Sequence, residues 1–564
     1  TARDEGPMPP PVDLVIDVGD LVGGELRSLI IDRLGAAATP LNVAAVLSRA
    51  GGNPLFVEEL ASAVSQDADE IPATARDVVA ARVDRLSSNA KTALRYAAVM
   101  AGSVRARLLE ELMATDLSSE LEELAAERLL VRSDAASPEA NEGELHFPRG
   151  LVREVVYESL SPRAQRDTHA RVGRLLASRF FAGREEPPAL IAEHLEQGGD
   201  ISGSAAFWVR AGRVALAASD ADGAVAHFTR VLDLERELGA APPSPASRAR
   251  RREALLGREE AHRLQGDLTS HEGDLAELLL LCDNDPERLA DVACRSAQRL
   301  LRRGDYPAAH AATLQAESYA VSANSMRLRG LALKLRGETA ERQGRFDDAL
   351  TMVAAARDLF AASGDMVDET AAMVGAGRIH LMRSHYEKAQ AAYRPVLHRM
   401  KNGADPWLER IVKLHVAAIQ MSLGNFADAA DSAERSLELC RRYGDRAREG
   451  DALSVLAIIR AEAGQYDSAA TAFAQALEML ERTKSRWSHT DCLIYAGASD
   501  AKRGERDGLL RIDQGLRDAR ELGAKYLEAN AWVARAGALL EFDEFEAAVD
   551  AGSQGSELAR QATL

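Results

Sequence analysis

A chain of 564 residues is long enough for several domains or one extended array, and its 46% apolar content includes only 5% aromatics. Cores must then be built from Ala, Leu and Val, which suits closely packed helices and excludes a β-sandwich or barrel as the main architecture. A net charge of −18 makes the surface a poor platform for nucleic acid, and no apolar run approaches a membrane span. The chain is therefore predicted to be cytoplasmic, without a membrane or nucleic-acid partner.

The N-terminal end, Thr1 followed by "GPMPPP", reads as that of a fragment or a processed chain. "VDLVIDVGDL" is strand-like, and a helical segment follows it up to residue 34. In "GGNPLFVEEL", Asn53 is a good N-cap and Pro54 suits the first helical position. Glu58 and Glu59 sit near the positive end of the helix dipole, and Gly51 and Gly52 permit close backbone approach. Beyond the linker "SQDADEIP", residues 73–100 read as two helices broken at Ser87-Ser88-Asn89, with Ser88 or Asn89 as cap. A further helix carries Leu121, Leu124, Leu129 and Leu130. "RLLVRSD" and "ELHFP", separated by a polar loop at 134–143, predict a β-hairpin. Three helices and a hairpin form the layout of a winged helix, and a helix pair from 149 to 180 follows.

From about residue 203 onward the chain repeats itself. Turns beginning at Gly304, Gly344, Ser384, Gly424, Gly464 and Gly504 are spaced by 40 residues. Seven residues before each stands a small residue: Ala297, Gly337, Gly377, Ala417, Ala457 and Gly497. Five residues after the first five turns stands Ala309, Ala349, Ala389, Ala429 or Ala469, with Leu509 after the sixth. The small residues mark where the two helices of a hairpin cross closely, and the turn glycine ends the first helix in a left-handed conformation. The aromatic two residues after a turn (Tyr306, Phe346, Phe426) packs over the seam between units. Residues 251–287 are the most degenerate. The recurring residues are core, so any that bind a partner must be the non-recurring ones on the inner helices.

This pattern of small residue, Gly-x-aromatic and Ala resembles the tetratricopeptide repeat in a long form of about eight or nine units. The order "GGNPLFVEEL", "IPATARDVVAARVDRLS" and "LVREVVYESLSPRAQRDTHARVGRLL" resembles the C-terminal half of STAND-type signalling ATPases. Together the two resemblances imply a mainly all-α chain. Residues 1–66 would be the remnant of an ATPase small helical subdomain, 67–185 a winged helix, and 186–564 a right-handed tetratricopeptide superhelix. In that family a Gly-x-Pro proline touches adenine, which maps to Gly52, Asn53 and Pro54. A histidine before the "LVRE" helix senses nucleotide phosphate there. Arg149 stands at that position here, and His146 lies three residues earlier, out of phase.

No Gly-Lys-Ser/Thr phosphate loop occurs between residues 1 and 564, so ATP or ADP would belong to a larger parent protein and not to this chain alone. His169, His194 and His227 have no partner spacing. Cys282, Cys294, Cys440 and Cys492 lack metal-ligand spacing and read as packed thiols. The chain is expected to be non-catalytic. Its array would bind a protein, peptide or small effector, with assembly on activation in keeping with the family. The alternative is a nucleotide-independent repeat scaffold. DNA binding through Arg76, Arg82, Arg85 and Arg95 is a weaker third reading.

Overall fold

The forty-residue period is a period of helical hairpins. The computed structural model describes residues 24–35, 38–50, 57, 61, 75–100, 104–132, 144–148, 150–239, 244–401 and 406–561. They form 27 helices and one small sheet. The chain divides into two compact units, residues 1–204 and 205–564. Among the described residues no helix is long and apolar enough to cross a membrane.

In the first unit, helices Gly24–Leu34 and Pro40–Ala50 share a core of Leu26, Ile30, Leu34, Val43 and Val46, which Val57, Ala61 and Val78 complete. The strand-like run at 12–21 lies outside the described residues. Helices Ala75–Arg85 and Ser88–Met100 break as expected, but the cap is Ser87, one residue before those the sequence suggested. Its Oγ accepts from the Ala90 amide at 3.2 Å and donates to Glu123 at 2.7 Å. Strands β1 (Val104–Arg105), β2 (Val131–Arg132) and β3 (Glu144–His146) form a sheet in the order β1-β3-β2, antiparallel throughout. The hairpin of β2 and β3 is the expected one. β1 was not anticipated, since two residues carry no alternation to read. Glu186, 4% exposed, accepts from Arg105 at 2.6 Å and Arg179 at 2.7 Å, tying β1 to the helix Pro162–Phe181.

That helix also carries His169, whose Nδ1 lies 2.9 Å from Nδ1 of His194 on the helix Pro188–Gln197, while Tyr157 Oη lies 3.2 Å from its Nε2. Of the two facing nitrogens one donates and the other accepts. Burial pushes each imidazole down to about 4, helped by Arg153 at His169 and by His169 at His194.

The second unit begins within the helix Ile201–Ala217 and runs to the helix Phe545–Gln561. Most of its helices are 17 residues long, paired across short turns, as in Met326–Arg342 with Phe346–Ser363 and Met366–Met382 with Tyr386–Lys401. The turn glycines are left-handed, Gly344 at φ +79° and Gly464 at φ +76°, and Ser384 adopts φ +56° in their place. The small residues sit at the helix crossings: Ala297, Ala417 and Ala457 are fully buried, as are Ala309, Ala349 and Ala389. A Cβ on Gly377 would stand 2.6 Å from Cζ of Tyr393, a ring that is itself 1% exposed. The degenerate stretch forms a hairpin too, with an extended first helix, Pro245–Gln265, and a shortened second, Leu268–Leu280. All four cysteines are free and buried.

The aromatic position reveals something the repeat did not predict. Tyr306 and Phe346 are sealed, whereas Tyr386, Phe426 and Tyr466 remain partly exposed. What seals the first two is not only the neighbouring hairpin but the next turn of the coil. Tyr306 packs with Ile494, Leu516 and Leu522, and Phe346 meets Tyr526 edge-on with centroids 6.4 Å apart. Gly266 abuts Thr483, and Lys484 Nζ donates to Thr269 Oγ1 at 3.3 Å. Gly304 abuts Leu522, and Gly444 abuts the Ser219 carbonyl. The array is wound tightly enough to close on itself.

Two outcomes follow from this packing. Because the folded histidine pKa values lie below the unfolded value of 6.5, the unfolded chain binds more protons between pH 6.5 and 4. Stability around 162–197 is complete above pH 6.5 and falls toward pH 4, by up to about 1.4 kcal/mol per pH unit for each ring. Hydrogen exchange at pH 7.5 and 5 reads this, and protection there that does not change with pH contradicts it. Gly377→Ala is expected to cost about 1–3 kcal/mol by overpacking against Tyr393. Gly375→Ala, whose Cβ would meet only Val353 at 3.8 Å, gains up to about 1 kcal/mol from helix propensity. Equal denaturation midpoints for the two variants contradict the close crossing.

Candidate ligand channel

Gly52, Asn53, Pro54 and Arg149 all lie outside the described residues. Of the motif that contains the first three, Val57 is described and fully buried. The arginines behind the DNA reading are largely engaged within the first unit. Arg76 pairs with Glu154 and Glu158, Arg85 with Glu127 at 3.7 Å, and Arg82 is 5% exposed.

The second unit holds a cavity of about 200 Å³. Its lining comes from the first helices of seven successive hairpins, or from the turns leading into them, between Arg263 and Ser488. These are the non-recurring positions. Leu331, Leu335, Glu338 and Arg342 lie four, three and four residues apart, on one face of the helix Met326–Arg342. In the next hairpins the same positions carry Ala371, Gly375 and Arg378, then Ile411 and His415. The hairpin crossing uses the opposite face, so these positions vary without disturbing the repeat.

Six cationic side chains line the cavity: Arg263, Arg302, Lys334, Arg342, Arg378 and Arg448. Four have a carboxylate in reach: Arg263 at Glu260 (3.5 Å), Lys334 at Asp368 (3.6 Å), Arg378 at Glu341 (2.7 Å) and Arg448 at Asp451 (3.7 Å). Arg302 instead donates to the Arg263 carbonyl at 3.2 Å. The Arg342 guanidinium lies 3.9 Å from the Trp487 ring centroid, and Trp487 stacks at 14° on Tyr526 with centroids 6.3 Å apart. In the wall behind them Arg410, 3% exposed, pairs with Asp445 at 2.9 Å, and Asp445 caps the helix Arg446–Glu462.

The electrostatics record this crowding of positive charge. Burial pulls the Arg302 guanidinium down to about 10, with Arg263 and Arg448 adding to the effect and Asp445 opposing it. Burial and then Arg378, Arg448 and Arg342 push His415 down to about 3, so the ring, stacked on Tyr393, is neutral. Burial raises the Asp491 carboxyl to about 7 although Arg342 pulls the other way. Asp491 Oδ1, Trp487 Nε1 and Tyr306 Oη are buried polar atoms without a hydrogen-bond partner. Such atoms are uncommon in a settled core and each costs about 1–3 kcal/mol.

Nothing in the sequence marked these residues, because a repeat is recognised by what recurs. The available signal was arginine at a position where the next two repeats carry Met382 and Ser422, as Arg302 and Arg342 stand two residues before their turn glycines.

No curated protein matches the chain. A Rap protein complexed with competence and sporulation factor is 12% identical, covering 64% of this chain and 99% of that one, with a TM-score of 0.48. A Signal Transduction ATPase with Numerous Domains carrying a tetratricopeptide repeat sensor, from Pyrococcus horikoshii, is 15% identical over 96% of this chain and 74% of that one (TM-score 0.37). The apo quorum sensor NprR from B. thuringiensis is 14% identical over 64% and 99%, with a TM-score of 0.38. Residues 409–482 match the tetratricopeptide repeat family, and they are three helices and part of a fourth in the same hairpin series that fills the second unit.

Proposed function

We propose that the chain is the non-catalytic sensor and regulatory segment of a STAND-type signalling ATPase, with the repeat array taking an effector into its channel. The observation that carries this reading is the channel itself: charged and aromatic side chains at non-recurring positions, Trp487 among them with an unpartnered Nε1, inside an array whose recurring alanines are used in packing. The β1-β3-β2 sheet after helices 75–85 and 88–100 supports a winged helix, the element that would carry the signal toward nucleotide. A ligand that binds one winding of the coil better than another shifts the balance between two states, and its differential affinity limits the shift. Gly52, Asn53, Pro54 and Arg149 would supply the adenine edge and a phosphate contact in the parent protein.

The second reading, a nucleotide-independent scaffold for protein assembly, is favoured by the tetratricopeptide match at 409–482 taken alone. Nucleotide separates the two. The chain alone is expected to release no phosphate from Mg-ATP. In the parent ATPase, Pro54→Ala is expected to weaken ATP or ADP binding about tenfold, the factor that corresponds to about 1.4 kcal/mol of lost contact. Unchanged affinity in that variant removes the switch and leaves the scaffold.

A further inference from the structure

Resting on the reading of the channel as an effector site, the geometry assigns the chemistry of the effector. We infer that the channel binds a small anion, a phosphate- or carboxylate-bearing molecule, on the guanidinium groups of Arg302 and Arg342 beside the Trp487 ring.

The argument starts from the charge of the whole chain. A protein of net charge −18 has carboxylates to spare, and nearly every buried cation elsewhere in the array uses one. Arg299 is held by Glu272, Arg295 by Glu259 and Asp291, and Arg410 by Asp445. Arg302 and Arg342 are half-buried at the cavity with no carboxylate within ion-pair distance: Asp445 and Asp451 act on Arg302, and Glu341 and Glu338 on Arg342, only from farther away, and burial outweighs them and lowers the pKa of both. A partly desolvated cation without a direct carboxylate partner is costly, and packing does not require arginine at a position that later repeats fill with Met382, Ser422, Glu462 and Lys502. Neither arginine is left free to fold away. The Arg263 carbonyl fixes one, and the Trp487 face orients the other without neutralising it.

The surrounding groups agree with an anion. Glu338 faces Arg342 and Arg378 without forming an ion pair to either, and Asp451 is already engaged with Arg448. The neutral His415 and the unpartnered Trp487 Nε1 can each offer a hydrogen-bond donor without adding a charge. A volume of about 200 Å³ lies below the roughly 300–1,000 Å³ usual for drug-sized ligands, which suits a compact anion and excludes a folded partner. Planar guanidinium groups match phosphate and carboxylate alike, so the geometry fixes the class and leaves the source to experiment.

Fluorescence quenching of Trp487 in the full chain, taken as the difference between the wild type and Trp487→Phe, tests this directly. Iodide is expected to quench this component at least threefold more efficiently than caesium, and Arg302→Gln with Arg342→Gln should abolish the preference. Pyrophosphate or citrate at millimolar concentration should protect Trp487 from iodide in the wild type only. Protection by pyrophosphate alone identifies a phosphate ligand, by citrate alone a carboxylate, and by both an anion site without discrimination. If acrylamide reaches Trp487 while iodide gains no advantage over caesium, the channel is open but not anionic in preference, and the inference falls while the effector site stands. Exclusion of all three quenchers contradicts the effector site itself. Protection by either anion that survives the double substitution also overturns the assignment. Circular dichroism melting of the double variant supplies the folding control: its midpoint should equal or exceed that of the wild type, since an uncompensated charge has been removed, and a large fall would make the two arginines structural.

Discussion

The close crossing of two helices at a pair of small residues, repeated every forty residues, is the constraint on which the array depends. Gly337 or Gly377 on one helix and Ala349 or Ala389 on the other leave no room for a longer side chain, so each hairpin has one packing distance. A fixed hairpin geometry copied many times produces a fixed winding. Here the winding brings Gly266 to Thr483 and Tyr306 to Leu522, so a groove that could lie fully open is narrowed to a partly closed channel. The partial closure lowers the pKa values of Arg302 and Arg342 and leaves polar atoms without partners. Local packing thus determines the electrostatics of a site assembled from residues far apart in sequence.

That site is maintained against the interests of stability. Arg410 in the wall has Asp445 as a direct partner, whereas Arg302 and Arg342 in the channel have no carboxylate within ion-pair distance. The same position carries Met382, Ser422, Glu462 and Lys502 in later repeats, so the fold does not require arginine there. Preorganised, uncompensated groups are the usual cost of a binding site, because they gain a partner only when the ligand arrives.

Much of the fold was legible in the sequence because it depends on things that recur or lie close together. The turns from Gly304 to Gly504, the alanines that follow them and the hairpin of β2 and β3 all have local signatures. The helix break at Ser87 was placed to within one residue, the usual slack of a cap. What escaped had no local signature. The His169–His194 contact joins residues 25 apart on two helices, and β1 is too short to show a pattern. The closure of the coil joins Ser219 to Gly444 and Phe346 to Tyr526, separations that no periodicity encodes. The channel was illegible for a different reason, since binding residues in a repeat are those that break its pattern.

The array closes on itself, and that closure turns its inner groove into a channel. Thr269 and Lys484 are exposed and in hydrogen-bond contact across that closure, which makes them suitable positions for spin labels on Thr269→Cys and Lys484→Cys. The four native thiols are buried and should not compete for label. Electron spin resonance of the doubly labelled full chain is predicted to give strong dipolar coupling from a single short distance. A long or broad distance distribution, as expected of an open superhelix, would contradict the closed channel and the electrostatics argued from it.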